Sequence, residues 1–134
     1  MTNEQILQTM LASDVERDTK TNNQNHVEQI AKTINEGSTY DEAGMCADDY
    51  GCEGDDIISG FDYLEDVYDI RYIIDSQGDF ISARILVAFG GPNIWIDFET
   101  KTVELYWWGD RATAYFHDDA MDVEGALREL WEMR

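Results

Sequence analysis

The sequence predicts an α+β domain in which helices flank an antiparallel meander, and three observations predict it. Apolar residues recur at three- and four-residue steps near both ends of the chain; the spacing changes to strict alternation from Ile70 onward; and turn-forming clusters interrupt that alternation at short, regular intervals. A chain of 134 residues is one domain's worth. It is long enough to bury roughly two thirds of its unfolded surface without disulfide or metal staples. With 43% apolar and 12% aromatic residues it is too greasy to remain disordered despite its charge. No repeat and no linker divides it, so residues 1–134 are read as a single domain.

The elements follow in order. Ile6, Leu7, Met10, Leu11 and Val15 form one greasy helical face, and Thr2 with Gln5 has capping-box spacing. After a polar break at Thr21–Asn25, a second helix is expected on Val27, Ile30, Ala31 and Ile34, with Asn25 as its cap and Gly37 as its stop. Ile57, Phe61, Leu64 and Val67 predict an amphipathic middle helix from about Asp56 to Tyr68. The meander, of four or five strands, begins at Ile70–Ile74. It turns at Ser76–Asp79 and continues through Ile81–Phe89, whose last residues are apolar on both faces. Beyond Gly90–Asn93, Ile94, Ile96 and Phe98 alternate with Trp95, Asp97 and Glu99, then Val103, Leu105 and Trp107 with Glu104, Tyr106 and Trp108. Gly109–Asp110 has hairpin-turn composition, Arg111–Phe116 is the last strand, and Val123, Ala126, Leu127, Leu130 and Trp131 build a terminal helix that packs on the sheet.

Charge is the most informative property. Against 29 Asp and Glu stand 9 Lys and Arg, a formal −20. Such a surface repels phosphate backbones and anionic lipid, and the cations are scattered singly, so direct binding to nucleic acid or to a membrane surface is not expected. Two cysteines are too few for a disulfide framework, no apolar run approaches a membrane span, and the first residues lack the pattern of a secretory signal. A cytoplasmic protein is the simplest expectation.

Between Thr33 and Ile70 there is no Lys or Arg, yet the stretch holds Glu36 and, from Asp41 on, Glu42, Asp48, Asp49, Glu53, Asp55, Asp56, Asp62, Glu65, Asp66 and Asp69. Twenty net negative charges equal those of about ten base pairs of duplex DNA. Carboxylates held at that density on a stiff scaffold can occupy a nucleic-acid channel by replacing phosphate beside Arg and Lys. The eleven acids from Asp41 to Asp69 are therefore the candidate partner-binding residues, and the partner a basic nucleic-acid-handling protein. Acidity of this kind also serves solubility.

Other chemistries fit less well. Cys46, Cys52, His26 and His117 supply four zinc-type ligands, but five residues separate the cysteines and the histidines lie on separate elements. The run DDYGCEGDD lacks the third-position ligand and the terminal glutamate of an EF-hand. Asp79 with Glu99 and Lys101 has the spacing of a Mg²⁺-dependent nuclease, although Glu99–Thr102 is also ordinary turn composition. Nucleophile-elbow and phosphate-loop motifs are missing, and no metal or cofactor is expected. Trp95, Tyr106, Trp108 and Tyr115 fall on one face of the sheet by alternation. Left uncovered, they would serve a non-catalytic protein-interaction module, with self-association as one outcome.

FGGPNIW and YWWGDRA, within residues 85–116, resemble motifs of a group of small uncharacterised proteins of bacteriophages and other mobile elements. The resemblance covers about a quarter of the chain and implies an origin more than a mechanism. Mobile elements carry many small anti-defence proteins, so by analogy it favours an inhibitor of a CRISPR effector nuclease or restriction enzyme.

Overall fold

The computed structural model describes residues 21–134. The first predicted helix, on Ile6 to Val15, lies outside them. Residues 21–36 form helix α1, which includes the expected polar break: Thr21–Asn25 is helical, so Asn25 is an interior residue and not a cap. The break fails because it contains neither Gly nor Pro, and its amides find partners. Asn23 Nδ2 donates to Asp110 Oδ2 at 3.1 Å and Gln24 Nε2 to the Thr113 carbonyl at 3.0 Å, tying the helix to the last strand. Gly37 ends α1 as expected, at φ 82°, its N–H returning to the Thr33 carbonyl at 2.8 Å.

The middle helix is much shorter than the pattern suggests. Helix α2 spans only Gly60–Leu64. Ile57 pairs as an isolated bridge with Thr39, and Ser59, in extended geometry, caps α2 by accepting the Asp62 N–H at 3.2 Å. At the other end Glu65 and Asp66 place negative charge where the helix dipole is already negative, which opposes another turn. Gly60 is buried against the start of the C-terminal helix, where a Cβ would run into the Asp122 backbone.

Five strands follow: β1 (Asp69–Ile74), β2 (Phe80–Ala88), β3 (Asn93–Asp97), β4 (Thr102–Trp107) and β5 (Asp110–Tyr115), paired antiparallel in sequence order. The register aligns Ile70, Ile85, Ile96, Val103 and Ala114 in one row across the sheet. This apolar face packs with Val27, Ala31 and Ile34 of α1 and with Val123, Ala126 and Leu127 of α3 (Val123–Glu132) in a single core. Trp131 of α3 lies against Tyr72, ring centroids 5.1 Å apart, and donates Nε1–H to the Gly78 carbonyl at 3.1 Å. The architecture is an α+β fold with a C-terminal helix on a five-stranded meander.

The last hairpin turns one residue earlier than its composition suggests. Trp107 pairs with Asp110, so Trp108 and Gly109, at φ 51° and 77°, form the two-residue turn and Asp110 opens β5.

Candidate functional site

Within the acidic stretch, between the end of α1 and the start of α2, residues 38–58 form a closed loop with a neck. Ile58 N–H bonds to the Ser38 carbonyl at 2.9 Å, Tyr40 N–H to that of Asp56 at 3.3 Å and Asp41 N–H to that of Gly54 at 3.0 Å. Beyond the neck a 3₁₀ turn, Ala47–Tyr50, ends at Gly51 in left-handed geometry, and Cys52 N–H returns to the Ala47 carbonyl at 3.0 Å.

Tyr40 fills the loop from within. It is 1% exposed, and its hydroxyl donates to Asp62 Oδ2 at 2.6 Å and lies 3.5 Å from Cys52 Sγ. Its ring meets that of Tyr50 at 5.6 Å. The bond to the Asp62 carboxylate, aided by that to Cys52 and by burial, lifts the Tyr40 phenol far above its usual pKa. Tyr50 is raised too, first through its bond to Glu65. Burial alone pushes Tyr63 up to about 12.

Of the eleven candidate acids, Asp41, Glu42, Asp48, Asp49, Glu53, Asp55, Asp56, Glu65 and Asp66 are exposed, whereas Asp62 and Asp69 are half-buried. Some serve the fold. Glu42 accepts the Thr39 hydroxyl at 3.0 Å, Asp56 the Glu53 N–H at 2.9 Å, and Asp69 pairs with Arg71 at 3.2 Å. The carboxylates of Asp41, Asp48, Asp49, Glu53, Asp55 and Asp66 have no hydrogen-bond or ion-pair partner among the described residues.

Behind the acids lies a cleft of about 390 Å³. Met45, Ile58, Tyr63, Val67 and Val87 give it apolar walls, and Glu42, Asp62 and Asp66 line it with carboxylates. Neither the cleft nor the tyrosines were legible in the sequence. Contacts between residues 40 and 62 leave no periodic trace, and the one available signal is that Tyr40, Tyr50 and Tyr63 all stand within the acid-rich stretch.

The aromatic candidates separate. Trp95, Tyr106 and Tyr115 share the sheet face opposite the core, but Trp108 sits in the β4–β5 turn, 86% exposed. Charge is interleaved among those on the face. The guanidinium groups of Arg71 and Arg84 each lie over the Trp95 ring, 4.9 Å from a ring centroid. Arg84 also reaches Asp97 at 3.7 Å and Glu104 at 3.9 Å; Arg111 meets Glu104 at 3.5 Å and lies over Tyr106 at 5.5 Å. Three of the chain's few cations are thus held by acids and rings on this face.

Asp79 lies between β1 and β2, and Glu99 and Lys101 lie in the β3–β4 turn, where Asp97 Oδ1 accepts the N–H groups of Glu99 and Thr100 at 2.9 and 3.1 Å. Cys46 is exposed, Cys52 half-buried against Tyr40, His26 on α1 and His117 just beyond β5. Among the described residues no group of three or more His, Cys, Asp or Glu is arranged to hold a metal ion, and no helix is long and apolar enough to cross a membrane. No protein-family model matches the chain, and no curated protein or solved structure shows significant similarity to it.

Proposed function

We propose that this protein is an acidic inhibitor or sequestering module that binds a basic nucleic-acid-handling protein, of which a CRISPR effector nuclease or a restriction enzyme is an example, with the acids of Asp41–Asp69 as phosphate surrogates. The observation that carries the reading is a set of five carboxylates without described partners, Asp41, Asp48, Asp49, Glu53 and Asp55, on a loop tied at its neck and filled by Tyr40. A backbone tied in this way loses little conformational freedom on binding, and its acids have no cation to surrender among the described residues. The resemblance of FGGPNIW and YWWGDRA to mobile-element proteins supports the same reading, which places the protein in the cytoplasm.

The test is retention of host-lysate proteins on the immobilised chain at low and high salt, followed by identification of what elutes. The reading expects nucleic-acid-handling proteins whose recovery falls steeply with ionic strength. They should be displaced by duplex DNA and lost when Asp48, Asp49 and Asp55 are changed to Asn and Glu53 to Gln. Recovery of only acidic proteins, or of proteins that do not handle nucleic acid, overturns it.

The exposure of Trp108 favours a second reading, a protein-interaction module anchored on aromatic side chains. Burial of such surface is nearly indifferent to salt, so retention that persists at high salt and vanishes in Trp108→Ala selects it.

A further inference from the structure

The loop that presents the acids borders the cleft, whose remaining lining comes from α1, α2, the residues just after α2 and β2, and the lining specifies an occupant. Its lining includes the half-buried side chains of Met45, Val67 and Val87. It also includes three carboxylates in different states. Glu42 is steadied by the Thr39 hydroxyl at 3.0 Å, Asp62 is held by the Tyr40 hydroxyl at 2.6 Å, and Asp66 is exposed without a described partner. The volume, about 390 Å³, is in the range of sites that enclose a small group.

A bare divalent cation takes six or more oxygen ligands and would leave the apolar wall in water. A second copy of the chain would bring another −20 against the first. A side chain with an apolar stem and a cationic head satisfies both kinds of lining, and a guanidinium adds a planar fork that matches a carboxylate edge. We infer that this cleft receives an arginine side chain from a basic segment of the partner, its stem along Met45, Val67 and Val87 and its head among Glu42, Asp62 and Asp66. The inference rests on the inhibitor reading and adds to it a defined point of entry: the exposed acids attract the partner, and the cleft fixes its register.

The experiment titrates the isotopically labelled full chain with a blocked tetra-arginine peptide at low salt, followed by NMR, with spermine as a cation lacking side chains. Resonances of the Met45, Val67 and Val87 methyl groups are expected to shift with the peptide and much less with spermine. Asp66→Asn should weaken peptide binding about tenfold, the worth of one good charge-assisted contact, whereas Asp48→Asn, the same charge change outside the cleft, should weaken it far less. Asp66 is exposed, so its substitution leaves the fold intact. Still methyl resonances with equal weakening by the two substitutions overturn the cleft and leave phosphate mimicry standing. Failure of tetra-arginine to bind the unaltered chain at low salt overturns both.

Discussion

Tyr40 and Tyr63 do for the acid-rich loop what a hydrophobic side chain does for a core, but each brings a hydroxyl whose proton the folded state retains. Tyr63 ionises at about 12 in the fold against 10.0 for an unperturbed phenol, and Tyr40 is shifted in the same direction. A proton held more tightly by the folded chain stabilises it fully below the unfolded pKa, and that stability is lost as the pH rises through the folded value. The denaturant midpoint should therefore decline from about pH 10 upward, and Tyr63→Phe should remove part of the decline; a tyrosinate absorbance titration run alongside should show late-ionising phenols. Near neutrality, Tyr40→Phe removes a hydrogen bond to a carboxylate and should cost about 1.5–3 kcal/mol in denaturant unfolding. The acids themselves could be read from sequence, because charge is a local property of composition. Their fixation could not, because it depends on Tyr40 meeting Asp62 across a closed loop.

The hairpin β4–β5 carries the prediction that belongs to elements. Its first turn residue is a tryptophan at φ 51°, a conformation that Asn, Asp and Gly tolerate and a bulky residue does not. Trp108→Asn should stabilise the protein by about 1 kcal/mol, since left-handed geometry costs a large side chain at least that much. Thermal unfolding should move up by a few degrees. No change, or a fall, would mean that Trp108 contributes packing beyond its T-shaped contact with Trp107, 5.5 Å between centroids. The strands were legible because alternation is unambiguous where one face is buried, as in Ile94–Asp97 and Val103–Trp107. The middle helix was overcalled because Ile57, Phe61, Leu64 and Val67 have helical spacing, while Ser59, Gly60 and the bridge from Ile57 to Thr39 enforce a different backbone. The helical state of Thr21–Asn25 was not legible because the partners of Asn23 and Gln24, Asp110 and Thr113, lie far along the chain.

For the molecule as a whole, the net charge of −20 acts on folding and on binding with opposite dependence on salt. Self-repulsion opposes compaction, so added salt should raise the melting temperature of the free protein, while the same salt weakens its capture of a cationic partner. Calorimetry across a sodium chloride series checks the first effect, and a melting temperature that is flat or falls would show that internal pairs such as Arg84 with Asp97 and Glu104 outweigh the repulsion. The α+β architecture was legible at this scale because the switch from helical to alternating periods is long-range and repeated. The placement of the acids between helix and sheet was legible too, whereas the cleft beneath them belongs to tertiary contact alone. The neck that joins Ser38 to Ile58 makes the ends of the acidic loop near neighbours, and beyond it Ala47, Met45, Tyr50 and Cys52 pack into or against the core. Residues 41–54 are therefore a buttressed lobe: exposed positions such as Asp48, Asp49 and Glu53 tolerate exchange, whereas Ala47 and Cys52 belong to the scaffold that holds them.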